Sequence, residues 1–148
     1  KRAERMKGKR KSKWLTVAVC CLLGIGILTG CGEKKDPLQK IKDLEFTVVA
    51  EENVPEELLK VIREKKEAGI KMTYQDGGFL YICMGYGKQE SGGFCITVNE
   101  LYETENALYF DTTLVGPKPG ELDEKRKSPS TPYVVVKTEF IDKPVVFE

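Results

Sequence analysis

Phe79-Leu80-Tyr81-Ile82-Cys83-Met84 is a continuous apolar run that stands between two turn signals. Asp76-Gly77-Gly78 precedes it, and a glycine-rich stretch, residues 85–93, follows it. An apolar run of this length without polar alternation is typical of a strand that is covered on both faces. The sequence therefore predicts a central strand at 79–84, joined by a tight turn to a hairpin partner at 71–75.

Segments rich in β-branched or alternating apolar residues flank this central strand on both sides. They predict further strands at 44–49, 94–99, 108–114, 132–140 and 145–147. In the segment 94–99 every second residue, beginning with Phe94, is a large apolar one, which indicates a single inward face. We expect 79–84 and 94–99 to pair as an antiparallel hairpin.

The stretch between Asn53 and Gly69 has the pattern of one amphipathic helix. Asn53 and Glu56 have the spacing of a capping box, and Gly69 is a natural stop. The apolar stripe consists of Leu58, Leu59, Val61 and Ile62. One N-terminal amphipathic helix together with these strands implies an α+β domain, with a mostly antiparallel sheet or sandwich of about six to seven strands.

The first thirty residues are ordered as a secretory signal. Eight Lys or Arg residues lie within 1–13, and the segment 14–30 contains no charged residue. Leu28-Thr29-Gly30-Cys31 then resembles the lipobox of bacterial lipoproteins. The resemblance implies cleavage between Gly30 and Cys31 and a diacylglycerol on the Cys31 thiol, which would anchor the chain at the outer face of the cell membrane. An uncleaved anchor helix is the alternative.

These features predict three regions: a lipoprotein signal peptide at 1–30, the lipidated Cys31 with a flexible polar tether at 31–43, and a globular domain at 44–148. Removal of residues 1–30 takes away eight of the 24 basic residues and one of the 23 acidic ones, so the net charge changes from +1 to about −6. Proteins that bind DNA or RNA carry a basic face. A net charge of about −6 gives no such face, so we expect no nucleic acid as a partner. The predicted lipid site and secretory signal indicate a membrane and an exported protein as partners.

The chain contains no His, which removes several kinds of catalytic and metal site. Ser-His-Asp and Cys-His nucleophiles need an imidazole base, and many zinc sites need imidazole ligands. The acids nearest to a predicted strand pair are interpreted as solvated side chains; they are Glu100, Glu103, Glu105 and Asp111. We expect no catalytic residue, no cofactor and no metal, and a protein that is not an enzyme.

Cysteine usage leaves two thiols for the globular domain. Cys20 and Cys21 lie in the predicted signal and Cys31 is the predicted lipid site, so Cys83 and Cys95 remain. If 79–84 pairs with 94–99, one register places Cys83 opposite Cys95, and export permits a disulfide between them. Two small free thiols in the core are the alternative.

The glycine-rich loop carries a family resemblance. Gly85-Tyr86-Gly87-Lys88-Gln89-x-Ser91-Gly92-Gly93-Phe94, then Gly116-Pro117, then Thr131-Pro132-Tyr133 resemble the domain of PrcB-type protease-complex subunits, over residues 74–137. The resemblance implies a non-catalytic lipoprotein that assists a surface serine-protease complex. Loops on rigid sheets often carry binding residues, and the candidate partner-binding residues are Tyr86, Gly87, Lys88, Gln89, Ser91, Gly92, Gly93 and Phe94.

Two other functions are kept as alternatives. The glycine-glycine-aromatic strand start is similar to that of chagasin-type cysteine-protease inhibitors, which implies insertion of loops into a protease cleft. Tyr81, Tyr86 and Tyr109, if exposed, would instead favour a lipoprotein that binds a small ligand or an envelope polymer.

Overall fold

The structure is a computed structural model that describes residues 38–118, 120 and 127–148. The predicted signal peptide, its cleavage point at Gly30 and the predicted lipid site at Cys31 lie outside these residues. The described part contains one α-helix and eight strands. Their bounds are β1 Lys42–Asp43, β2 Thr47–Val48, α1 Glu56–Lys65, β3 Ile70–Asp76, β4 Phe79–Gly85, β5 Cys95–Glu103, β6 Leu108–Val115, β7 Tyr133–Glu139 and β8 Val145–Phe147.

Two four-stranded sheets form the body of the domain. Sheet A has the strand order β1-β5-β6-β8, and sheet B has the order β2-β7-β4-β3. Neighbouring strands are antiparallel except β6 and β8, which run parallel. The predicted β-rich body of mostly antiparallel strands with one helix is confirmed. The predicted N-terminal position of the helix is wrong, because α1 follows β1 and β2.

Strand β4 is the central strand that its apolar run predicts. Leu80, Ile82 and Met84 pack in one cluster with buried side chains of β5 and β6 in sheet A. Tyr81 and Cys83 point the other way and pack against the buried face of α1. The order of layers is therefore α1, sheet B, sheet A, and β4 is covered on both faces. Burial of a side chain such as Ile82 contributes about 1.5–3 kcal/mol.

The hairpin before β4 is also confirmed. Asp76 lies opposite Phe79, so two residues make the turn, and both have positive φ: 56° at Gly77 and 81° at Gly78. Two successive positive φ angles match the right-handed twist of the strands that the turn connects, and only glycine adopts them without strain.

The expected pairing of 79–84 with 94–99 is wrong. Both edges of β4 are occupied, by β3 and β7, and β5 lies beside β6 in the other sheet. The nine residues of the 85–93 loop cross between the sheets instead of closing a hairpin. Cys83 lies opposite Met72 and Val135, whereas Cys95 lies opposite Val115. Both thiols are free, so the disulfide is absent. The alternative of two core thiols holds for Cys83, which is buried, and fails for Cys95, which is exposed.

The helix begins later than the capping-box spacing predicts. Asn53 lies in a 3₁₀ turn, Glu51–Asn53, and α1 starts at Glu56 with Pro55 before it and no side-chain cap. Proline fits at this position because the backbone N–H groups at the start of a helix have no acceptor within the helix. The N–H group that proline lacks therefore costs no helical hydrogen bond. Leu58 and Ile62 are the buried residues of α1. Within the described ranges, no helix has the length and apolar character needed to cross a membrane.

Residues 38–49, which we call the strap, join one edge of each sheet. The Ile41 and Leu44 amides donate to the Glu103 and Leu101 carbonyls of β5, at 2.7 and 2.9 Å. Leu44 packs against the core between the sheets, and the Val49 amide then donates to a carbonyl of β7. Of the strand predicted at 44–49, only Thr47–Val48 forms a strand, β2, and the additional strand β1 gives eight strands instead of six or seven. Strand β1 also lies within the stretch predicted as tether.

The strands define two opposite ends of the domain. One end, which we call the strap end, holds the strap, the start of β4 at Phe79 and the end of β5 at Glu103. The other, which we call the loop end, holds the 85–93 loop, the end of β4 at Gly85 and the start of β5 at Cys95. Nine strand residues from Cys95 to Glu103 separate the ends by about 27 Å, at about 3.4 Å per residue.

Candidate functional site

The candidate site is the 85–93 loop, which connects sheet B to sheet A at the loop end. Its first residue, Gly85, is the last residue of β4 and lies opposite Tyr133 of β7. Two residues after the loop, β5 begins in the other sheet. The two sheets therefore fix both ends of the loop.

Gly87 fixes the loop against the turn that follows α1. Its φ is 76°, and a Cβ atom built there would lie 3.1 Å from the Glu67 carbonyl oxygen. The next amide, of Lys88, donates to the same Glu67 carbonyl at 3.0 Å. The position needs glycine for two reasons, because the backbone is left-handed and because the two chain segments approach closely.

Tyr86 fixes the loop to sheet A. Its ring is half-buried and packs against the core between the sheets. Its hydroxyl lies 2.9 Å from both the carbonyl oxygen and Oγ1 of Thr112 in β6. The hydroxyl donates to the carbonyl, and a side chain predicted as a binding residue is thus engaged inside the protein.

Gln89 and Ser91 connect the loop to the segment before β7. Gln89 and Ser130 exchange main-chain hydrogen bonds of 2.7 and 3.1 Å, and the Gln89 side-chain amide donates to the Tyr86 carbonyl at 3.2 Å. The Ser130 hydroxyl donates to the Ser91 carbonyl at 2.7 Å. These bonds satisfy loop backbone groups that would otherwise need water.

Phe94 explains two of the sequence motifs together. A Cβ atom built on Gly116 would lie 3.0 Å from the edge of the Phe94 ring. The aromatic residue that ends the loop and the glycine of the Gly116-Pro117 turn therefore pack on each other. Neither motif needs a ligand to account for it.

The loop displays few side chains outward. Lys88, Glu90 and Gly93 are exposed, whereas Gln89, Ser91, Gly92 and Phe94 are partly buried and Gly87 is buried. The structure thus divides the predicted binding residues into those that hold the loop and Lys88, which points outward. Glu90, which the sequence prediction omitted, is the second outward charge.

The tyrosines predicted as an exposed binding set are not one surface. Tyr81 is only 7% exposed and lies under α1, and Tyr86 is engaged with Thr112. Tyr109 stacks on Tyr102, with ring centroids 5.2 Å apart and planes inclined by 6°. The three tyrosines therefore do not form the exposed surface that the small-ligand alternative requires.

Sequence reasoning missed a groove at the strap end. It has a volume of about 960 Å³, lies open to solvent, and is lined by the strap, Phe79, Ile141 and the end of β7. Lys137 Nζ lies 3.8 Å from the Phe79 ring centroid, a cation–π contact. The half-exposed Phe46 and Phe79 line this groove. The only sequence signal for this groove is the pair of phenylalanines, Phe46 next to the start of β2 and Phe79 at the start of β4, each beside polar residues.

Several acids of the described region take part in ion pairs and hydrogen bonds. Lys143 Nζ lies 2.6 Å from Glu103 Oε1, and this hydrogen bond holds the pKa of Glu103 below its usual value. Glu51 accepts a hydrogen bond of 2.7 Å from the Tyr133 hydroxyl, which lowers the pKa of Glu51, while burial raises that of Tyr133 to about 12. Burial also raises the pKa of the Cys83 thiol to about 12, so it stays protonated. In the described region, no three Cys, Asp or Glu side chains come together as metal ligands.

One comparison with known proteins finds a family model that resembles the segment containing these motifs. Residues 80–139, from the second residue of β4 to the end of β7, match the family model described as PrcB C-terminal. Neither the curated proteins nor the solved structures that were compared gave a significant match. The matched segment includes the loop, the Gly116-Pro117 turn and Tyr133. The match confirms the resemblance expected from the sequence: residues 80–139 are similar to the PrcB C-terminal family.

Proposed function

We propose that the protein is a lipid-anchored, non-catalytic accessory subunit that docks an exported protein through the outward side of the 85–93 loop. One observation carries this proposal: the loop is fixed on three sides while Lys88 and Glu90 point into solvent. The lipobox resemblance at Leu28-Thr29-Gly30-Cys31 supports the anchor, and the similarity of residues 80–139 to the PrcB C-terminal family model supports a role in a protease complex.

The fixed loop favours binding because little conformational freedom remains to be lost. Ordering a mobile side chain at an interface costs about 0.5–1.5 kcal/mol, and ordering a loop costs more. Here hydrogen bonds from the main-chain amides of Lys88, Gln89 and Ser130 have already ordered the backbone. The exposed pair of opposite charges then favours specificity and rapid association with a partner of complementary charge.

The anchor is tested by metabolic labelling with a fatty acid. Cells that make the full chain should incorporate label into a processed protein, and Cys31→Ser should remove the label while the soluble domain still folds. Cys95→Ser is the matched control, because Cys95 is an exposed thiol outside the lipobox. Label that persists in Cys31→Ser, or that disappears in Cys95→Ser, contradicts the proposed anchor.

Docking is tested by a photo-crosslinking amino acid placed at Lys88 or Glu90 in the anchored protein in intact cells. Lys60 is the control, since it is also exposed but lies on α1. We expect a discrete adduct with an exported protein from positions 88 and 90 and none from position 60. Mass spectrometry of the adduct then shows whether the partner belongs to a protease complex. Equal adducts from all three positions, or adducts from position 60 alone, would overturn docking through the loop.

A further inference from the structure

The exposed apolar side chains of the described region are concentrated at one end of the domain. Of eight large hydrophobic side chains that are exposed there, five lie at the strap end and one at the loop end. The five are Leu38 at 64%, Ile41 at 60%, Phe79 at 39%, Phe140 at 38% and Phe46 at 36% exposure. The one at the loop end is Val115, at 43%. Such a concentration usually marks an interaction surface.

The chain reaches this same end from its predicted lipid site. The Ile41 amide donates to the carbonyl of Glu103, the last residue of β5, so the residues before Ile41 lead away from the strap end. Only six residues lie between Cys31 and Leu38, and the seven steps from one to the other, at no more than about 3.6 Å each, span at most about 25 Å. An acyl chain on Cys31 therefore holds the strap end close to the membrane surface. This step rests on the proposed anchor.

We infer that the strap end lies on the lipid surface and that the loop end points away from it, about 27 Å further out at about 3.4 Å per strand residue. Leu38, Ile41 and the phenylalanines would sit at the boundary between headgroups and acyl chains, where apolar and aromatic side chains are stabilised. The lipid surface, rather than a second protein, is the occupant that the short distance to Cys31 favours.

The charges of the strap end indicate which force holds it there. Lys40 lies 2.6 Å from Asp43 and 3.5 Å from Glu100, and Lys42 lies 3.4 Å from Glu103. Since nearby carboxylates accompany these lysines, the surface offers little net positive charge to anionic lipids. The contact is apolar, so it should depend weakly on salt and on the fraction of anionic lipid.

Tryptophan fluorescence can test this orientation, because the only Trp in the sequence is Trp14, within the predicted signal peptide. Ile41→Trp and Phe140→Trp place a reporter at the strap end, and Val115→Trp places one of similar exposure at the loop end. Each full-length variant is produced in bacteria, processed, and reconstituted into phosphatidylcholine vesicles whose acyl chains are brominated. Bromine quenches only those indoles that approach the acyl chains.

We expect loss of fluorescence for Ile41→Trp and Phe140→Trp, at low and high salt alike, and no loss for Val115→Trp. Equal quenching of the three reporters, quenching of Val115→Trp alone, or no quenching at all overturns the orientation. A protein partner or a second copy on the strap end would give the last of these results. The intact mass of each sample separates the two proposals: a protein that carries lipid but shows no strap-end quenching overturns the orientation alone, whereas a protein without lipid overturns both.

Discussion

The two ends of the domain are built from the same strands, yet their surfaces differ. At the loop end, the connection between the sheets is held by hydrogen bonds and presents the charged Lys88 and Glu90. At the strap end, the connection between the sheets is held by β1 and β2 and presents Phe46 and Phe79 beside an open groove. One end is a fixed polar surface and the other is an apolar one.

This difference shows that one small core can support two surfaces of unlike chemistry. The buried cluster between the sheets runs from Leu101 and Leu108 near the strap end to Met84 near the loop end. Because the ends share this core and lie about 27 Å apart along β5, changes on one surface should leave the other intact. A change within the shared core should affect both ends.

Phe110→Ala should loosen both ends together, with the largest effect. Phe110 is fully buried in β6 and packs edge-on against Phe147, with centroids 6.1 Å apart. Deletion of a buried phenyl ring costs about 3–5 kcal/mol of unfolding free energy. Urea unfolding followed by circular dichroism gives the value. Hydrogen exchange that rose at only one end would show that the two ends do not share one core.

Gly87→Ala and Gly78→Ala form a matched pair, one at each end. Both glycines have positive φ, at 76° and 81°, but a Cβ on Gly78 meets no atom within 4 Å, whereas on Gly87 it meets the Glu67 carbonyl. The left-handed backbone alone costs about 1–2 kcal/mol, and the crowding at Gly87 adds about 1–3 kcal/mol. Thermal or urea unfolding of both variants measures the difference. Equal losses of stability would mean that the loop does not depend on its close approach to Glu67.

Tyr86→Phe should release the loop from sheet A at a smaller cost. The variant keeps the ring and removes the hydroxyl that bonds to Thr112, a loss of about 1 kcal/mol. Tyr109→Phe is the control, because the Tyr109 hydroxyl makes no hydrogen bond to another described residue, and it should be neutral. Amide exchange of residues 86–91 should rise in Tyr86→Phe only. An unchanged loop would show that Gln89 and Gly87 are sufficient to hold it.

Two carboxylates, one at each end, give the smallest effects and the sharpest test of independence. The hydrogen bond from Tyr133 lowers the pKa of Glu51 at the loop end, and the hydrogen bond from Lys143 lowers that of Glu103 at the strap end. A lowered pKa in the folded state stabilises the fold above the unfolded pKa, near 4.5, and this contribution is lost as pH falls through the folded value.

Carboxyl carbon NMR titrations should therefore show separate responses. Tyr133→Phe should raise the pKa of Glu51 alone, and Lys143→Gln should raise the pKa of Glu103 alone. Each variant should also weaken the acid dependence of stability below about pH 4.5, because the difference between folded and unfolded proton binding becomes smaller. A shift of both carboxyl groups in either variant would show electrostatic coupling between the ends.

The sequence predicts local features of this fold better than it predicts how they assemble. The apolar run of β4 indicates burial on both faces, and Gly77-Gly78 indicates a tight turn, because each depends on residues close together in the chain. The pairing of 79–84 with 94–99 fails because the partners of β4 are chosen by packing: β7 lies some fifty residues along the chain from it, and its apolar face completes the same core.

The candidate site shows the same limit in another form. The family motif identifies the loop correctly as a distinctive segment, but it does not tell which side chains point inward. Tyr86 and Phe94 resemble binding residues in sequence, and only the positions of Thr112 and Gly116 reveal that they hold the loop. The strap-end groove depends on residues from three separated segments, so no short motif indicates it.

The strap has a further consequence for the solubility of the domain. Strands β1 and β2 are the outermost strands on one side of sheets A and B. A shortened chain that started after Val49 would leave rows of unpaired N–H and C=O groups along β5 and β7 at the same time. Such exposed edges are templates for aggregation through added strands. Residues 38–49 therefore protect one edge of each sheet from pairing with another chain. We expect a shortened domain to remain soluble only if it retains them.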